Sequence, residues 1–314
     1  FELSSKGMGL RQIHLKKYKD RENQEVLIGE HTEWPIFANF VYGDNHLIDF
    51  HVTQISSNEF RGEGFVGGVA IIKTMKIHSD NYSIETEIFV REGDAHFLGI
   101  GTQLSDVVHP TKSGNFLKPD NEYQEFFILS QEGKKRLKIS SNDLKQINSS
   151  NSQVKVAALG NQYFAQALVD QSDIYPEFKT GSENDQYLNG QLTYTPITKN
   201  EAFKLKYISF VGPKSFENLE AVNSDLAQIV DFGMFSWIAR YILKMMKWFY
   251  SIFGNWGVAI IVLTVLVRIL VLPFAIMSFK SMKNMQLIQP QIKFLKEKYK
   301  EDQTKLNQEM MSLM

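Results

Sequence analysis

The sequence contains no cysteine. Disulfides, thiolate metal sites and a cysteine nucleophile are thereby excluded. An oxidising compartment is not, because a β-domain of some 200 residues is stable without crosslinks. The opening Phe1-Glu-Leu-Ser-Ser-Lys lacks the basic start and apolar run of a signal peptide. Acidic residues nearly vanish late in the chain: between Phe232 and Lys300 the one acid is Glu297. Residues 232–314 carry 11 Lys/Arg against 4 Asp/Glu, a net of +7, whereas residues 1–231 carry 23 against 31, a net of −8. An asymmetry of this size points to parts that face different surroundings. No fixed internal repeat runs through the chain, which weighs against a propeller or a solenoid.

What is present in residues 1–212 reads as β. Short alternating or β-branched runs recur at Glu25–Ile28, His46–Val52, Val69–Ile72, Tyr82–Val90 and Phe203–Phe210, punctuated by Gly, Asn, Asp and Ser. Ser140 to Ser152 is rich in Ser and Asn and predicts an exposed loop. With no long helix in this stretch, a sandwich of two sheets is the economical architecture. Gly212-Pro213 ends it, and residues 213–231 read as a linker containing a short helix.

Residues 232–256 predict an amphipathic helix and a turn. Ser236, Arg240, Lys244, Lys247 and Ser251 fall at steps of 4, 4, 3 and 4, which is one stripe of an α-helix. The remaining faces are apolar and aromatic, with Trp237 and Trp248, and Trp256 follows the turn. A wide apolar face with a narrow cationic stripe fits a helix lying in a membrane interface. The alternative at this point is a surface helix of a soluble domain. Residues 257–279 then run for 23 positions with one charge, enough to cross roughly 30 Å of hydrocarbon. Lys280 and Lys283 follow, with five more lysines by Lys305, which places residues 280–314 in the cytoplasm and residues 1–231 on the periplasmic side. A piece of a longer membrane protein is the expectation.

Arg268 is the twelfth of those 23 residues. An arginine near the bilayer centre costs about 2.5–3.5 kcal/mol on insertion scales, and the span offers no acid to pair with it. Such a group normally faces a hydrated cavity or a partner helix. Thr264 lies one turn earlier on the same face. A functional cavity and a structural ion pair with another helix both remain open at this point. Pro273 is placed to bend the helix near its cytoplasmic end, and Pro290 to kink the next helix or start it anew. Met285, Ile288, Ile292, Leu295 and Tyr299 form a coiled-coil-like seam, and Leu306, Met310 and Leu313 a second apolar face. Residues 280–314 therefore predict a helical hairpin; Lys283, Lys293 and Lys296 are placed to meet lipid headgroups or ribosomal RNA, although a solvated face is the commoner meaning of such a run.

The run from Gly254-Asn-Trp-Gly through Arg268 to Pro273 resembles the first core helix of the YidC family of membrane-protein insertases. So do Ser281-Met-Lys-Asn-Met-Gln-Leu-Ile-Gln-Pro290-Gln-Ile-Lys and Gln308-Glu-Met-Met. More loosely, Leu15-Lys-Lys-Tyr, Asn81-Tyr-Ser-Ile and Gln162-Tyr-Phe-Ala resemble that family's periplasmic domain. The resemblance implies a multidomain α+β protein of the bacterial inner membrane, multi-pass at full length. Its parts would be a mutarotase-like β-supersandwich, an interface helix, one transmembrane helix and an incomplete cytoplasmic hairpin. It makes Arg268 a groove arginine and Thr264 a substrate-contacting threonine. It implies nascent membrane proteins, the bilayer, Sec translocon components and the ribosome as partners, and no DNA, no cofactor and no metal. The first anchoring helix and the last core helices of the family are absent from this sequence.

A membrane-anchored periplasmic carbohydrate-binding or sugar-modifying protein is the rival reading. An enzyme would need a histidine and a carboxylate, or two carboxylates, converging in a pocket. No histidine sits in a recognisable motif, and His46 and His51, five apart, are expected on opposite faces of one strand. Arg61-Gly-Glu-Gly-Phe-Val-Gly-Gly is not a phosphate loop by spacing. No enzymatic activity is expected.

Overall fold

Alternation decides the strands. Ser83–Val90 buries Ile84, Thr86, Ile88 and Val90 and exposes Glu85, Glu87 and Phe89, the period-2 pattern of a strand with one dry face. Val69–His78 does the same, with Val69, Ile71, Lys73 and Met75 inward. The computed structural model describes residues 1–19, 23–93, 98–108, 123–139, 144–196, 201–233 and 235–298. The chain divides into two units at Val230 and Asp231.

The first unit is a β-sandwich. Its larger sheet has nine antiparallel strands in the order Gly133–Ile139, Gln124–Ser130, Val154–Gly160, Phe164–Asp170, Phe203–Pro213, Ser83–Val90, Val69–His78, Glu59–Val66 and Phe50–Ser56. The smaller has six, in the order Ser149–Asn151, Glu177–Glu183, Tyr187–Tyr194, Gly99–Val107, Asn39–Tyr42 and His46–Leu47. Ile71, Ile88 and Leu205 of the first sheet meet Val41, Ile100, Leu104 and Leu192 of the second in one apolar core. Each such side chain, fully buried, contributes about 1.5–3 kcal/mol. A separate two-stranded ribbon pairs Ile13–Lys19 with Glu25–Ile28.

Helix α1 (Phe216–Val222) is capped by Ser215, whose hydroxyl accepts from the Asn218 amide at 3.4 Å. With the 3₁₀ turn Leu226–Ile229 it covers the outer face of the larger sheet. Leu219, Leu226 and Ile229 pack there on Phe127, Leu129, Ala167 and Phe210.

Two expectations for this unit change. His46 and His51 do not share a strand: a break at Ile48-Asp49 puts them in strands His46–Leu47 and Phe50–Ser56 of different sheets. The Ser/Asn-rich stretch is not all loop. Residues 144–147 form a 3₁₀ turn, and Ser149–Asn151 pairs with Glu177–Glu183; residues 140–143 lie outside the described part. Local composition favours a loop there, and pairing with a partner strand overrides it.

The second unit holds helices α2 (Ser236–Phe253) and α3 (Trp256–Lys298). At 43 residues, α3 is roughly 65 Å long at 1.5 Å per residue. It continues through both Pro273 and Pro290, each of which forgoes one backbone hydrogen bond. The helix after the apolar span is therefore not started anew at Pro290. The second arm of the expected hairpin, with Leu306, Met310 and Leu313, lies outside the described residues.

Candidate functional site

The α2–α3 junction is specified by two residues. Gly254 ends α2 in the left-handed conformation (φ 62°) and its amide donates to Tyr250 O at 2.8 Å, a position that favours glycine. Asn255 then caps α3, its Oδ1 accepting from the amides of Gly257 (2.8 Å) and Val258 (3.3 Å). Trp256 stacks on Tyr250 with ring centroids 4.0 Å apart and planes 13° apart. Phe249 of α2 packs against Ala259 and Leu263 of α3, flanked by Met245, Met246 and Val262. The two helices thus meet along a small apolar seam.

Outside that seam the helices are open. On α2, Trp237, Tyr241 and Trp248 are each at least 60% exposed. Arg240 and Lys244 are exposed and Lys247 is half-buried. The Arg240 guanidinium lies 5.8 Å from the Phe232 ring centroid, within cation–π range. On α3, Trp256–Lys280 is the one stretch among the described residues long and apolar enough to cross a membrane. Its 25 residues are almost wholly exposed.

Arg268 and Thr264 fall on one face of that stretch. At about 100° per residue, their centre lies about 170° around the helix from the centre of Ala259, Val262 and Leu263, the α2-packed side. Both are exposed. The Thr264 hydroxyl donates to Ile260 O at 2.7 Å, leaving its lone pairs to accept. Among the described residues no carboxylate pairs with Arg268, and up to Lys298 the sole acid of α3 is Glu297. The polar pair therefore lies on the side away from the seam, with the Thr264 lone pairs left to accept. Pro273 and Lys283 are exposed on the same helix; Pro290, Lys293 and Lys296 lie on its distal part.

The β-sandwich contains chemistry that sequence reading missed. Lys73 is fully buried and its Nζ donates to the carbonyls of Gly7 (3.2 Å), Met8 (2.8 Å) and Phe37 (3.1 Å). Burial holds its pKa well below the usual lysine value. Its inward position in the alternating run Val69–Met75 was the available signal. Glu125, 2% exposed, receives both Lys214 (2.6 Å) and Arg136 (2.8 Å) on one carboxylate oxygen. Tyr194 donates to Asp170 at 2.9 Å, and burial raises the pKa of each.

Among the described residues there is no cluster of metal-ligating side chains. A cavity of about 240 Å³ is lined in part by Glu30, His31 and Asp106. His31, however, is 79% exposed and lies 3.6 Å from its neighbour Glu30. Asp106 accepts from the Val107 amide and from Gln124, both at 2.9 Å, and so holds its own strand end.

Sequence comparison finds two family matches. The YidC periplasmic domain matches residues 59–245, and the 60Kd inner membrane protein family matches residues 248–314. A protein named membrane protein insertase YidC from Geotalea uraniireducens is 35% identical, over 99% of this chain and 61% of its own length. One of the same name from Geotalea daltonii is 26% identical, over 99% and 61% respectively. One from Syntrophobacter fumaroxidans is 42% identical over 37% of this chain. The chain thus spans about three fifths of the length of the relatives it matches end to end. Among solved structures, a putative aldose 1-epimerase from Escherichia coli K12 overlaps 67% of this chain and 82% of its own. Its identity is 10% and its TM-score 0.34.

Proposed function

Because the chain belongs to the YidC family of inner-membrane proteins, we propose that it serves to insert membrane proteins through the Arg268 face of α3. The observation that carries this reading is the placement of Arg268 and Thr264 on the side of a membrane-length helix opposite its α2 seam. An unpaired cation on a lipid-facing helix is costly. Other helices of the full protein that enclose that face with water would relieve the cost. They would form a hydrophilic groove able to receive a short polar, often acidic, tail. The apolar segment behind the tail then partitions into lipid without nucleotide hydrolysis.

In this reading residues 1–212 and the linker 213–231 are periplasmic, and residues 280–314 are cytoplasmic. The unit 232–256 lies in the interface, with Trp237, Trp248 and Trp256 at headgroup depth and Arg240, Lys244 and Lys247 toward phosphates. Residues 257–279 cross, Pro273 bends the span, and Lys283, Lys293 and Lys296 meet lipid headgroups or the ribosome. The protein works alone or beside the Sec translocon.

The test uses the full-length protein, stripped of any other cysteine, with Thr264→Cys. Stalled nascent chains carrying cysteines along their first transmembrane segment are assayed for disulfide formation with it. The expected result is a crosslink that appears midway through insertion. No crosslink, from protein shown to be folded and membrane-inserted, means that Arg268 is a structural ion and the groove reading is wrong.

A further inference from the structure

A groove of about 660 Å³ in the β unit is lined by none of Lys73, Glu125, Asp170 and Tyr194. One wall is the strand Ile13–Lys19; the other is the corner joining strands Val69–His78 and Ser83–Val90. Its floor is apolar, with Leu10, Ile13, Leu15 and Ile84 all buried. The titratable side chains on its lining are Lys16, Lys17, His14, His78 and Tyr82, and no Asp or Glu is among them. Two of these groups pair with acids outside the lining: His14 lies 3.1 Å from Glu25, and His78 3.3 Å from Glu85. The groove is thus basic, although residues 1–231 carry a net charge of −8.

The strand that forms the wall is half-paired. Ile13–Lys19 bonds to Glu25–Ile28 along one edge, in register over Ile13–Leu15 and again at Lys19. Among the described residues no strand or loop backbone bonds to its other edge. An exposed edge presents a row of backbone donors and acceptors that a further strand satisfies. The segment Ile13–Lys19 is about 23 Å long at roughly 3.3 Å per residue, enough to hold several residues of an added chain.

We propose that this groove binds an extended acidic polypeptide segment, which adds a third strand to the free edge of Ile13–Lys19. Alternate apolar side chains of the segment enter the floor over Leu15 and Ile84, and its carboxylates meet Lys16 and Lys17. Backbone pairing supplies affinity and the pockets for alternate side chains supply selectivity, as in other β-strand additions. A lone acyl chain with an anionic head matches the apolar floor and basic rim equally. It leaves the strand edge unpaired, and for that reason the polypeptide is the better occupant. The proposal uses no residue of the second unit, so it and the Arg268 reading stand or fall separately.

The test uses the whole chain in lipid nanodiscs and four fluorescent probes. These are a short peptide alternating Val or Ile with Glu, the same peptide with Lys for Glu, the Glu peptide with alternate amides N-methylated, and a labelled long-chain fatty acid. Binding is followed by anisotropy. The expected result is saturable binding of the Glu peptide alone, weakened about tenfold in the Lys16→Glu, Lys17→Glu double variant. Both sites are exposed, so the fold is retained, and a circular dichroism melt verifies it. Equal binding of the Lys peptide, no loss on N-methylation, or displacement of the Glu peptide by the fatty acid would each overturn the proposal.

Discussion

Glu125→Gln removes one negative charge from a place where two cations converge. The Glu125 side chain is 2% exposed, and its Oε1 accepts from Lys214 Nζ at 2.6 Å and Arg136 Nη1 at 2.8 Å. Lys214 is itself 5% exposed and Arg136 21%. Arg136 also donates from Nη2 to the carbonyls of Gln228 and Ile229, both at 2.9 Å. The cluster therefore ties the sheet to the segment by which the chain leaves the sandwich. A glutamine keeps the shape and one acceptor, but removes the carboxylate that a buried ammonium and a mostly buried guanidinium share. Breaking a buried pair from one side costs about 3–5 kcal/mol. For a unit of this size that lowers Tm by roughly 10 °C. Thermal unfolding followed by circular dichroism measures the loss, and hydrogen exchange at Leu226–Ile229 shows whether the exit segment loosens first. The double variant Glu125→Gln, Lys214→Met should recover part of the stability, because one of the two cations that shared the carboxylate is gone. A loss below about 1 kcal/mol would equate the cluster with a surface ion pair and refute the reasoning. So would a double variant no better than the single one.

Two further outcomes follow from the core. Burial raises the Tyr207 phenol to about 12, while its unfolded value is near 10. The folded state then binds more protons than the unfolded one between those values. Tyr207 contributes stability below about pH 10 that is lost as pH rises toward 12. Phenolate absorbance and urea midpoints across that range should show late ionisation coincident with unfolding, and a normal phenolate step with no change in stability would contradict it. Gly101→Ala would drive a Cβ into the ring of Phe40, which is fully buried. The expected loss is about 1–3 kcal/mol, read as a lowered urea midpoint; an unchanged midpoint would mean the ring is loosely held.

Some of this was legible in the sequence for physical reasons that stay local. Ser83–Val90 and α2 could be read because their apolar spacing repeats within a few residues. The apolar stretch of α3 declared itself by length. The partners of each strand were not legible: pairing of Phe164–Asp170 with Phe203–Pro213 joins segments separated by two other strands. For the same reason the convergence of Glu125, Arg136 and Lys214 is invisible in one dimension. Lys73 was readable in principle, since parity puts it inward with Ile71 and Met75. The two histidines misled because a break at Ile48-Asp49, not strand parity, separates them. Of the candidate site, the face shared by Thr264 and Arg268 came from spacing alone. That this face points away from α2 required knowing that Ala259 and Leu263 form the seam.

The order of strands in the larger sheet also dictates an order of events. Phe203–Pro213, the last strand of the unit to be synthesised, lies in the middle of the sheet, between Phe164–Asp170 and Ser83–Val90. Until it arrives, the strands from Phe50 to Val90 and those from Gln124 to Asp170 are two half-sheets, each with an unpaired inner edge. Such edges are prone to pair wrongly, and so distant a closure is slow. The keystone strand ends only 23 residues before α2 begins at Ser236. The growing chain thus completes its sandwich shortly before α2 and the apolar stretch of α3 are synthesised, and whatever guards the two open edges must act until then.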